Sequence, residues 1–134
     1  MRRSSRSHRT LDWLALPRTP EAVTRLAQTR DRLASLKPSF FSVTFGAGGS
    51  TRTLTLETAQ SVTHATGIEC APHISCIGTP LAELREVVHH YREVGIKRVV
   101  ALRGDMPSGL TGFGELRYAN ELVGFIRAET GNAF

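Results

Sequence analysis

Three short segments of this 134-residue chain concentrate the residue types that hold ligands. The first is Thr44-Phe45-Gly46-Ala47-Gly48-Gly49-Ser50-Thr51-Arg52. Its three glycines let backbone approach a bound molecule closely, and the free N–H groups of a following helix suit an anion. It is not a P-loop, because no Gly-Lys-Ser/Thr follows. It is not a dinucleotide fingerprint either, because Thr51 stands where the last glycine belongs. A tight turn explains a bare Gly-rich loop equally well. The second segment is Ala71-Pro72-His73-Ile74-Ser75-Cys76. Strand alternation puts His73 and Ser75 on one face and Pro72, Ile74 and Cys76 on the other. A lone histidine in such a strand is more often a hydrogen-bonded core residue than a ligand contact. The third is Ala101-Leu102-Arg103-Gly104-Asp105-Met106-Pro107. An arginine and an aspartate directly after an apolar strand either pair at the sheet rim or face a ligand. Arg103-Gly104-Asp105 also matches an adhesion tripeptide, but a three-residue match beside a core strand carries little weight.

Other reactive types are sparse. His89 and His90 are neighbours in a helical stretch and cannot share a face, so no metal site is expected there. Two cysteines exclude a disulfide framework and a four-thiolate metal centre. Cys70 and Cys76 read as reduced core residues.

The segments are positioned by a repeating pattern. β-rich runs begin at residues 40, 70 and 98, and each leads through a Gly- or Pro-bearing loop into an amphipathic stretch. The helices are predicted over 53–65, 81–94 and 115–129. Leu81, Leu84, Val88 and Tyr91 share one face, as do Leu116, Ala119, Val123 and Ile126. A further helix over 20–36 turns Val23, Leu26, Leu33 and Leu36 inward, after a strand over 11–16. Thr79-Pro80 reads as an N-cap with proline at the first helical position, and Gly67 and Gly95 as helix stops. Alternating strands and helices mean a parallel sheet, with chemistry at the carboxyl ends of the strands.

The 40% hydrophobic and 22% charged composition is that of a globular protein. No apolar run approaches the roughly 20 residues of a membrane span. The net charge of +5 sits largely in Arg2, Arg3, Arg6 and Arg9. Beyond residue 10 the chain holds 13 basic and 12 acidic residues, without the basic stripe of a nucleic-acid binder. The first ten residues read as a solvated tail, residues 1–16 as an atypical basic segment, and residues 17–134 as the domain. A cytoplasmic location is expected. A complete (β/α)8 barrel, which needs about 250 residues, does not fit this length.

Taken together, the run from Phe41 to Arg52, Ala71-Pro72-His73, and Ala101 to Asp105 with Pro107 resemble the methylenetetrahydrofolate reductase family in order and spacing, over roughly residues 17–127. The resemblance implies an α/β fold, a partial (β/α)8 TIM barrel of about the first four β/α units. It implies FAD as cofactor, NAD(P)H as hydride donor and a folate substrate: 5,10-methylenetetrahydrofolate is reduced to 5-methyltetrahydrofolate. By the same resemblance Thr44, Phe45 and Ala47 line the flavin and nicotinamide site, and His73 contacts FAD. Leu102, Arg103, Gly104 and Asp105 run along the flavin. Asp105 is the catalytic candidate, tuning hydride transfer, and Arg103 favours the anionic part of the cofactor. Tyr118 and Ala119 make a further FAD contact.

Two departures bear on activity. The family's opening strand carries a glutamate, the expected general acid. Trp13 stands at that position here, and Asp12, one residue off, points to the opposite face. The later strands are absent as well. The sequence therefore reads as a truncated, inactive form. The alternative is a non-catalytic half-barrel that self-associates, as a homo-oligomer, or complements another chain. An aldolase-type barrel would need a Schiff-base lysine at a strand end. Lys37 and Lys97 lie at the wrong side.

Overall fold

A computed structural model describes residues 10–14, 17–45, 49–106, 108–109 and 112–134. Strands and helices alternate along the chain: β1 (Thr10–Leu14), α1 (Pro20–Ala34), β2 (Phe40–Val43), α2 (Gly49–Thr66), β3 (Cys70–Ser75), α3 (Leu81–Glu93), β4 (Val100–Leu102) and α4 (Ala119–Thr130). The sheet order is β1-β2-β3-β4. Each neighbouring pair is parallel, with Phe41 opposite Cys70, Val43 opposite Pro72, His73 opposite Val100 and Ser75 opposite Leu102. This parallel α/β arc is consistent with part of a TIM barrel. The β1–β2 register shifts between Asp12 and Leu14.

Helices pack through two apolar clusters. Phe41, Val43, Ala59, Val62 and Cys70 join β2 and β3 to α2. Ile74, Cys76, Leu84, Val88, Tyr91, Leu122 and Ile126 join β3 and its extension to α3 and α4. Burying each large side chain contributes about 1.5–3 kcal/mol. The α3 stripe of Leu84, Val88 and Tyr91 is buried as its spacing predicts. Gly67 and Gly95 both take positive φ after their helices.

The structure corrects four local expectations. Val23 and Leu36 are more than half exposed. Val23 lines a shallow gap between α1 and α2, and Leu36 lies past the end of α1, where helical spacing no longer applies. Leu26 and Leu33 do pack inward. In α4, Val123 is exposed and Leu122 is buried. The helix begins at Ala119, so a phase counted from Leu116 starts outside it. Thr79 does not cap α3: its hydroxyl donates to the Ser75 carbonyl at 3.3 Å. The first amide of α3, Leu81 N–H, instead donates to the Glu115 carboxylate at 3.1 Å. The threonine–proline start works at α1, where Ala22 N–H donates to Thr19 Oγ1 at 3.1 Å.

Both cysteines are free and buried. Burial pushes the Cys70 thiol up to about 12 and raises that of Cys76. Thiolate is the reactive form, so iodoacetamide at about pH 8 is expected to alkylate neither residue appreciably in the folded chain and both promptly in urea. Rapid labelling of Cys70 without denaturant, read by mass spectrometry, would contradict the buried placement.

Candidate functional site at the carboxyl rim of the sheet

Because every strand runs the same way, the carboxyl ends of β2, β3 and β4 lie at one rim. β2 delivers Thr44 and Phe45. The Thr44 carbonyl accepts the Thr55 hydroxyl of α2 at 3.1 Å. The Phe45 ring is half-buried, with the Arg52 guanidinium 5.7 Å from its centroid. Ala47, Gly46 and Gly48 lie outside the described residues. On β3, His73 and Ser75 are half-buried while Pro72, Ile74 and Cys76 are fully covered, the two-faced pattern that alternation predicts.

The β3 and β4 ends are zipped together beyond the regular ladder. Cys76 N–H donates to the Leu102 carbonyl at 3.2 Å and Ile77 N–H to the Arg103 carbonyl at 2.9 Å. The Ser75 hydroxyl donates to that same carbonyl at 3.4 Å. Gly104 sits against this seam with φ +82°, and a Cβ there would stand 2.1 Å from Ser75 Oγ. The Arg103 and Asp105 side chains are exposed, and among the described residues neither has a hydrogen bond or ion pair. Among the described residues they form no rim salt bridge, the alternative that their sequence also allowed.

The connection into α4 is held just as closely. Gly78 N–H donates to the Phe113 carbonyl at 3.1 Å, and the Arg117 guanidinium lies 5.5 Å from the Phe113 ring centroid. Tyr118, 59% exposed, precedes α4, and Ala119 opens it. The Glu121 carboxylate accepts from Arg117 N–H at 2.6 Å and Tyr118 N–H at 3.0 Å, fixing the first turn. The structure thus joins Ser75 directly to the 102–104 segment, leaves His73 two residues earlier opposite Val100, and places Thr44 and Phe45 along the same rim. Tyr118 and Ala119 belong to the neighbouring helix start and share no hydrogen bond with them.

Glu115, Glu83 and Arg52 were not singled out in the sequence. Each acts across 31 or 34 residues, a separation that no local spacing encodes. His89 and His90 go separate ways. His89 Nε2 lies 3.0 Å from Glu129, which also accepts from Arg85 at 3.0 Å. His90 faces Glu93 at 4.0 Å. Among the described residues no group of three or more His, Cys, Asp or Glu is placed to hold a metal.

Two carboxylates in these connections have an acid dependence with a defined sign. The amides of Arg117 and Tyr118 hold Glu121 below its ordinary value of 4.5. His89 and Arg85 do the same for Glu129. A depressed folded-state value stabilises the fold above the ordinary value, and that contribution is lost as pH falls through the lower folded one. Glu129→Gln is therefore expected to lower the melting temperature at about pH 7 and to lower it less near pH 3, because the contribution shrinks as the pH drops below the ordinary value. An equal deficit at both pH values would show that charge is not the cause.

The sequence model of the methylenetetrahydrofolate reductase family matches residues 6–134, β1 and the whole rim included. The chain belongs to the methylenetetrahydrofolate reductase family. It is 44% identical over 111 residues to 5,10-methylenetetrahydrofolate reductase of Salmonella typhimurium, covering 83% of this chain and 37% of that protein. The Escherichia coli enzyme of the same name is 43% identical over the same shares. Methylenetetrahydrofolate reductase (NADH) 1 of Arabidopsis thaliana is 38% identical over 122 residues, 88% of this chain and 21% of that protein. The chain thus spans little more than a third of the length of the bacterial reductases it matches. Among the described residues no helix is long and apolar enough to cross a membrane.

A cavity of about 600 Å³ lies away from the rim. Val100 and Ala101 of β4 and Val123, Ile126 and Phe134 line its apolar part, with Lys97 and Arg98 near the start of β4. β4 is the edge strand of the described sheet, and this cavity lies between it and α4, toward the strand starts.

Proposed function

We propose that these residues form about the first four β/α units of a methylenetetrahydrofolate reductase barrel, with residues 17–134 as its domain, and that the rim takes part in holding FAD. The bound flavin supplies hydride transfer, from NAD(P)H to 5,10-methylenetetrahydrofolate. The protein's share is to bind, orient and set charge. The observation that carries this reading is the seam of β3 and β4, which presents an exposed arginine and an exposed aspartate at a strand-end rim, neither paired with a charged partner among the described residues. The residues fit the group. The Arg103 guanidinium suits an anionic diphosphate. The free amides at the start of α2 add donors. Thr44, Phe45, His73, Leu102 and Gly104 offer a wall of small, aromatic and polar contacts, Tyr118 and Ala119 extend it, and the family resemblance adds Ala47, which lies outside the described residues. The Asp105 carboxylate would place a negative charge near a flavin held at this rim and would favour one charge distribution of its ring.

These units bring no general acid, because Trp13 stands at the family's glutamate position. We expect no turnover from this chain alone. The decisive test is a visible absorption and fluorescence titration with FAD. Binding shifts the flavin band and quenches its emission; an unchanged free-flavin spectrum at protein in large excess would refute the cofactor reading. Arg103→Ala is expected to weaken FAD at least about tenfold, the loss of one charge-assisted contact. Equal affinity for wild type and variant would remove Arg103 from the site.

A second reading is favoured by the edge position of β4 in the described sheet and the exposed Val123 of α4. Four parallel strands with open edges can associate with a second copy or a complementing chain. Size-exclusion elution that shifts with concentration would support it.

A further inference from the structure

Two residues just past β2, Thr44 and Phe45, are each met by a side chain of α2. Phe45 follows β2, and Arg52 stands in the first turns of α2. The Arg52 guanidinium lies 5.7 Å from the Phe45 ring centroid, within the range of a cation–π contact. The same guanidinium pairs through Nη1 with the Glu83 carboxylate of α3. Its side chain is only 21% exposed, and its Nε is buried with no hydrogen-bond acceptor among the described residues. A largely buried arginine, held at one end by a carboxylate and lying over a ring, is a poor surface ornament. It loses hydration for both contacts, and they are worth more away from water. One turn on, the Thr55 hydroxyl grips the Thr44 carbonyl at 3.1 Å. Helix α2 therefore fastens the end of β2 at two successive residues, backbone at 44 and ring at 45.

We propose that Arg52 is a positioning residue for the rim: anchored by Glu83, it sets the Phe45 ring as a wall of the flavin site and couples the placement of α3 to that wall. This rests on the flavin reading above and adds to it a residue that touches no cofactor. Arginine is required rather than lysine, because a planar guanidinium can cover a ring and bind a carboxylate edge at once, which an ammonium point charge cannot.

The test has one readout that needs no flavin. Chymotrypsin cleavage after Phe45 under native conditions is compared with cleavage after Phe113, a 44% exposed internal control. Arg52→Gln is expected to raise the Phe45 to Phe113 cleavage ratio about tenfold, Arg52→Lys to raise it less, and Glu83→Gln to follow Arg52→Gln, as loss of one part-buried contact allows. FAD affinity should fall in the same order, with Arg52→Lys partly rescued. An unchanged ratio in all three variants overturns the positioning role whatever FAD does. A raised ratio with FAD affinity unchanged overturns the link to the cofactor. A raised ratio in a protein whose wild type binds no FAD upholds the Arg52 clamp and refutes the flavin reading instead.

Discussion

Gly104→Ala is expected to break the rim at its centre, lowering stability by about 2–4 kcal/mol and abolishing measurable FAD binding. Two separate costs combine. The backbone at Gly104 has φ +82°, a region where a Cβ costs about 1–2 kcal/mol. The added methyl would also stand 2.1 Å from Ser75 Oγ, 3.1 Å from Ser75 Cβ and 3.2 Å from Ile77 Cγ2, an overpacking worth about 1–3 kcal/mol. Rotating the Ser75 hydroxyl away relieves only the first contact and gives up its bond to the Arg103 carbonyl. The seam that presents Arg103 and Asp105 then has to open. Urea denaturation of wild type, Gly104→Ala and the double variant Ser75→Ala/Gly104→Ala separates the two costs. The double variant should recover part of the loss, since Ser75 Cβ and the positive φ remain. A Gly104→Ala variant as stable as wild type would mean that the seam is not packed as described.

Phe41→Ala should have the larger effect on folding itself. Phe41 is fully buried on β2, in the cluster with Val43, Ala59, Val62 and Cys70, and its amide donates to the Glu69 carbonyl at 2.9 Å. Truncating such a ring costs about 3–5 kcal/mol through lost transfer energy and the cavity left behind. Domains carry only about 5–15 kcal/mol in total, and this one has open edges. The urea midpoint, followed by circular dichroism, should fall by at least about 1 M. Phe113→Ala, at an exposed ring, should leave it nearly unchanged. Similar midpoints for the two variants would contradict the placement of β2 at the centre of the core.

Much of the architecture was readable because its signals are local. Two-residue alternation around His73 assigned the faces of β3, and the three-and-four spacing of Leu84, Val88 and Tyr91 assigned the buried stripe of α3. The family was readable through motif and spacing, and the family match over residues 6–134 agrees. Where the reading slipped, a phase had been carried past an element's end, as at Leu36 and Leu116. At Thr79 a remote side chain had taken over a local task.

The amino-acid order alone decided the alternation of strands and helices, that the strands run parallel, and that Thr44, His73 and Arg103 lie toward the same end of the sheet. Backbone periodicity and turn chemistry act within a few residues, so they are written in adjacent letters. Only the folded chain decided that Glu115 caps α3, that Ser75 closes on Arg103 and leaves no room for a side chain at 104, and that Arg52 spans from Glu83 to Phe45. Those contacts join residues 7 to 34 apart, and they exist because packing the helices on a parallel sheet brings the strand ends and helix starts together, whatever their distance in sequence.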